Sequence, residues 1–248
     1  RLCPKALCIR LSRLMTVDQC SLKRRAVASH AMTGCKAPQS EAPYTAGDVC
    51  LDPRALDGMS PVQEICNAVT MAMPCLVACY CWLNPPSLFS RSPRTAALLA
   101  GVVIHLPFSI SYHVHLACRV LSDAVDNLPR RLDQMFIHVA CILSAWSLST
   151  STLYAALCTV ANMHFIFRLW FREPGMLERM GNIGVGTFLY CFVIFLRGDI
   201  WNFVCGSGCF LAGVSAMALR LGGWGHSILH VCLGGMTYYF LLSASAIH

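Results

Sequence analysis

Apolar runs of about 20 residues recur along this chain, and that is the length a helix needs to cross the hydrocarbon core of a bilayer. Seven such segments fall near 61–83, 95–118, 132–150, 152–171, 180–196, 199–219 and 224–247. Short polar connections separate them: Asn84-Pro85-Pro86 to Pro93-Arg94, Ser122 to Arg131, Arg172 to Arg179, and Leu221-Gly222-Gly223. The divisions around Ser149–Ser151 and Gly198 are the tightest, and loss of either would leave six spans. Charged residues make up only 12% of the 248, against about a quarter in a soluble domain. So little charge cannot cover a folded surface in water, which excludes a soluble globular domain, a disordered chain and a nucleic-acid-binding module. The sequence therefore predicts an all-α, polytopic membrane protein, a seven-transmembrane helix bundle over 61–248.

Residues 1–60 lack any spanning run and read as a polar, basic tail. Its first thirty residues hold Arg1, Lys5, Arg10, Arg13, Lys23, Arg24 and Arg25 against a single acid, Asp18. A cytosolic tail beside anionic lipid accounts for that bias, with a targeting segment as the alternative. The chain opens with Arg1, so Met15 or Met32 is a candidate start. With the N-terminus inside, the short inner loops hold Arg119, Arg130, Arg131, Arg168, Arg172, Arg179 and Arg220, and the outer side only Arg91, Arg94 and Arg197. This asymmetry predicts a cytosolic N-terminus and an outer or lumenal C-terminus. The net charge of +7 then follows from topology, with no nucleic-acid partner required.

Most of the 16 cysteines lie inside apolar segments without a paired spacing, as small packing residues do. Cys205-Gly-Ser-Gly-Cys209 has ligand-like spacing, but its small residues between membrane-like flanks favour close helix approach.

Ionisable side chains within a bilayer are costly and mark a site by default. In segment 2, Ser109 and His113 share a helix face one turn apart, and His105 continues that stripe one turn deeper. Asp133 opens segment 3. In segment 7, His226 and His230 stand at i and i+4, a spacing with which one helix grips a transition metal. Segment 2 runs inward while segments 3 and 7 run outward, so His113, Asp133, His226 and His230 share one membrane depth. Three histidines at one level predict a zinc site with an open position for water. Their ring nitrogens are then expected within about 3–4 Å of one another. Asp133 would orient the water and take its proton, and Ser109 would offer its hydroxyl to that water or to a ligand histidine. His105, His115, His138 and His164 read as interhelical hydrogen-bond partners, and Glu64 as an interfacial charge. Taken alone, Asp133 could equally be a helix-start charge paired with Arg130 or Arg131.

Ser109-x-x-x-His113, Leu132-Asp133 and His226-x-x-x-His230 together resemble the signature of the CREST superfamily of seven-helix membrane hydrolases. That superfamily comprises the alkaline ceramidases, the progestin and adiponectin receptors with their hemolysin-III relatives, and the GPI-anchor lipid-remodelling proteins. The resemblance implies Zn2+ on His113, His226 and His230 as metal ligands, with Asp133 and Ser109 as the catalytic residues. The 19 residues between His113 and Asp133, with an inward N-terminus, are closer to the receptor and remodelling branches than to the ceramidases. Gln134 stands where the receptor branch commonly has tyrosine.

The expected function is zinc-dependent hydrolysis of a lipid amide or ester, ceramide-like or acyl lipid, with a membrane lipid as substrate. The alternative is a receptor or scaffold with a structural zinc. A transporter would spread its ionisable groups through the bilayer depth, whereas these cluster at one end. Residence in plasma membrane or endomembrane, and a homo-oligomer, are left open by the sequence.

Overall fold

The computed structural model describes residues 59–87, 89–119, 127–172, 174–219 and 221–247. The tail expected over 1–60, apart from Met59 and Ser60, lies outside them, as does Arg220. The described residues form helices and turns, with no strand among them. In chain order the helices are α1 (Pro61–Thr70), α2 (Ala72–Leu83), α3 (Pro93–Ala117), α4 (Leu128–Leu148), α5 (Thr152–Phe171), α6 (Met176–Leu196), α7 (Ile200–Ala218) and α8 (Gly225–Ser245). Helices α1 and α2 are two parts of one rod, Pro61–Leu83, interrupted at Met71. The cause is Pro74, which has no N–H to offer the Thr70 carbonyl and crowds it with its ring.

Local sequence sets where the rods begin. Ser60 and Ser92 each close a capping box, with Gln63 and Thr95 respectively, and Pro61 and Pro93 follow as first helical residues. Asn127 caps α4 through the Arg130 N–H, and Ser151 caps α5 through the Tyr154 N–H. Both tight divisions are real turns. Ser149 ends α4 and Ser151 starts the next helix, while Gly198 takes φ +78° between α6 and α7, a conformation that favours glycine.

Among the described residues, six helices are long and apolar enough to cross a membrane, the mark of a multi-pass membrane protein: the α1–α2 rod, α3, α5, α6, α7 and α8. Their outer faces are apolar, with Val69, Leu157, Phe167 and Leu211 each more than 60% exposed. Helix α4 has 21 residues but carries Arg130, Arg131 and Asp133 in its first two turns. It packs on α3, α5, α6 and α8. Its buried stripe is Arg130, Gln134, His138, Cys141, Ala145 and Leu148, spaced three or four residues apart.

Helix α8 packs on α7, α2, α1 and α3. Small residues let α7 come close. Phe240 covers Gly206, where any β-carbon would enter the phenyl ring, and Gly225 sits against the Ala216 carbonyl. The Cys205–Cys209 stretch thus serves packing, and the described cysteines are free thiols. Buried apolar residues gather at one end of the bundle: Cys81, Leu98, Leu148, Ile194, Leu241 and Ala244. There Arg197 donates to the Leu148 carbonyl at 2.5 Å and the Ser243 carbonyl at 2.9 Å, clipping the ends of α4, α6 and α8. The buried ionisable residues Glu64, His113, Arg130 and His230 occupy the other end.

Candidate metal centre

Four helix ends meet at that polar end: the starts of α1, α4 and α8 and the end of α3. The alternation of direction read from the sequence requires this for α3, α4 and α8. It holds for α1 too, whose Gln63 Nε2 donates to the Gly222 carbonyl just before α8 at 2.8 Å.

One ring nitrogen from each of His113, His226 and His230 lies within 4.8 Å of the other two. Ring centroids are 5.0 Å apart for His113 and His226, 5.6 Å for His113 and His230, and 4.6 Å for His226 and His230. The spacing is somewhat wider than the 3–4 Å expected. Each ring would move by under about 1 Å to reach a shared ion with Zn–N near 2.0–2.1 Å. His113 and His230 are buried and His226 is half-buried. Three histidines are the donor set of a catalytic zinc site, and imidazole nitrogen equally suits copper, iron or nickel.

The partners of the ring nitrogens indicate which nitrogen faces the group. His230 Nδ1 lies 3.0 Å from the Asn67 carbonyl oxygen, which can only accept, so Nδ1 carries the proton. His113 Nδ1 lies 2.7 Å from Glu64 Oε2 and donates to that carboxylate. In both rings Nε2 is left with its lone pair. Two carboxylates, Glu64 and Asp133, thus stand with three imidazoles, and a divalent cation would balance their charge in a site otherwise costly to bury. The residues present therefore fit a metal ion.

Asp133 belongs to the same assembly. Its Oδ1 lies 3.0 Å from His105 Nε2, Ser109 hydrogen-bonds to it, and it acts electrostatically on His113 and His230. Its hydrogen-bond partners His105 and Ser109 are thus both on α3, while Arg131 donates to the Trp170 carbonyl at 3.1 Å. Ser109, expected to serve a ligand histidine or the water, is bonded to the carboxylate.

Glu64 corrects the sequence reading. Instead of an interfacial charge it is a buried group, 3% exposed, because α1 turns its Glu64 and Asn67 face inward. Asn67 is fully buried; its Oδ1 accepts from Ser227 Oγ at 2.6 Å and its Nδ2 faces Glu64 Oε2 at 3.4 Å. Helix α1 begins at the same end of the bundle as α4 and α8, so the parity that located Asp133 also reaches Glu64.

The remaining histidines divide. His138 bonds to Asn162 Oδ1 on α5 at 2.9 Å, an interhelical partner as expected. His105 is interhelical too, but through Asp133 it belongs to the site. His115 Nδ1 bonds within its own helix to the Ser111 carbonyl at 2.6 Å, and His164 is exposed, edge-on to Phe165. The chain matches no family model, no curated protein and no solved structure.

Proposed function

We propose that the chain is a zinc-dependent membrane hydrolase of the CREST type, cleaving a lipid amide or ester in the cytosol-facing leaflet. The observation that carries this reading is the convergence of His113, His226 and His230 beside Asp133. In it α4 also crosses, third in chain order, and brings the spans to seven. Its low hydropathy is tolerated because its charged turns face α3 and α5 instead of lipid, and the short loops keep their arginines inside.

His113, His226 and His230 would hold the ion through ring nitrogens. When bound, zinc supplies Lewis acidity and brings the pKa of water toward about 7. Asp133, fixed by His105 and Ser109, orients the attacking water and accepts its proton. Water approaches from the side of His226, the most open of the three rings. Apolar helix faces hold the acyl chain and leave the scissile carbonyl at the polar end. Replacing His226 or Asp133 by Ala in purified protein should abolish release of labelled acyl chain from ceramide or acyl-lipid vesicles. Unchanged release from both variants would sink this reading.

A second reading, a receptor or scaffold with a structural metal, draws on the near-complete burial of His113 and His230. Chelation separates the two: a structural site loses its fold with the metal, a catalytic one loses turnover first.

A further inference from the structure

Building on the metal reading above, we propose that Glu64 and Asn67, one turn apart on α1, are positioning residues that jointly set how His113 and His230 present their Nε2 atoms. The two ligand histidines lie on different helices, α3 and α8, and neither helix alone fixes the ring rotation of the other. Helix α1 packs against both. Its Glu64 carboxylate takes the Nδ1–H of His113 at 2.7 Å, and the main-chain carbonyl of its Asn67 takes the Nδ1–H of His230 at 3.0 Å. Each contact selects one tautomer and aims the opposite nitrogen at the common point, as the outer partners of metal-bound histidines do.

The two anchors are themselves joined. Ser227 Oγ donates to Asn67 Oδ1 at 2.6 Å, and Asn67 Nδ2 reaches Glu64 Oε2 at 3.4 Å. A chain of polar contacts therefore runs from the start of α8, through Asn67 and Glu64, to His113 on α3. Glu64 also contributes a negative charge at 3% exposure, where an uncompensated carboxylate is costly. Its charge and its acceptor oxygen both favour a cation held by His113, so the first turn of α1 belongs to the metal site although it provides no ligand.

The test is metal binding by the purified full chain in detergent. Co2+ absorption reports the ligand field, and competition with a chelating dye reports Zn2+ affinity. Wild type should bind one equivalent and His226→Ala none. Glu64→Ala should still reach one equivalent at saturation, with affinity lowered about 10–100-fold and an altered cobalt spectrum. Glu64→Gln, which keeps an acceptor oxygen but not the charge, should lose less, and it carries the test if Glu64→Ala does not fold. A merely structural role for Glu64 would lower thermal stability and leave the cobalt spectrum of the folded variant as in wild type. If wild type binds no metal, the metal reading itself fails. If wild type binds and folded Glu64 variants match it in affinity and spectrum, only the positioning role is overturned.

Discussion

Asp133 Oδ1 and His105 Nε2 face each other at 3.0 Å across the α3–α4 contact, at side-chain exposures of 13% and 11%. The imidazole and the Ser109 hydroxyl hold the carboxylate from one helix, two turns apart from His105 to His113 at the metal group. Asp133 is thus fixed in orientation before any substrate arrives, the geometric requirement for a general base.

Asp133→Asn keeps the shape and removes the proton acceptor. Acyl-chain release should fall by about 10²–10⁴-fold while metal content stays at the wild-type level. His105→Ala leaves the Asp133 carboxylate in place but unsupported, and should cost about 10–100-fold in the same assay. Equal metal content with wild-type turnover in Asp133→Asn would remove Asp133 from the chemistry.

Chelation should separate turnover from fold. After dialysis against a strong chelator, hydrolysis should vanish while helical circular dichroism persists, because the apolar half of the bundle makes no use of the metal. Added Zn2+ should restore activity. Coincident loss of helicity and metal would support the structural reading instead.

Gly206→Ala should destabilise the bundle by about 1–3 kcal/mol, since the new methyl enters the ring of Phe240, which is 2% exposed and packed edge-on against Tyr190. Thermal unfolding in detergent measures this. Adding Phe240→Leu should recover part of the loss if overpacking is its cause.

Arg197→Ala removes the donors that reach the Leu148 and Ser243 carbonyls and should cost about 1–3 kcal/mol. This clip lies at the opposite end from the histidines, so metal affinity should not change. A variant that melts as wild type does would show that the carbonyls find other partners.

Much of this architecture was legible because it depends on periodicity and parity. The helix ends fall within four residues of the expected segments, and turns do occur at Ser149–Ser151 and Gly198, the two divisions whose loss would have left six spans. Helix direction alone brought His113, Asp133, His226 and His230 to one end. The rotation of each helix about its axis was not legible. Glu64 near a helix start reads as a solvated charge until neighbouring helices fix which face turns inward. His105 likewise shares a stripe with His113, but its bond to Asp133 depends on the rotation of α4. The 4.8 Å spacing of the ring nitrogens, wider than expected, is a third quantity that one-dimensional pattern does not contain.

The enclosure of α4 bears on how the protein is made. With Arg130, Arg131 and Asp133 in its first two turns, an isolated α4 meets an insertion cost of about 2.5–3.5 kcal/mol for each charge that reaches mid-membrane depth. If it crosses, as the third of seven spans, it would enter the bilayer paired with α3, whose His105 already offers Asp133 a partner. Order of synthesis supplies that companion first. Glycosylation mapping of chains with and without α3 would then show α4 integrated only in its presence, making the pair of helices that builds half of the site also the unit of biogenesis.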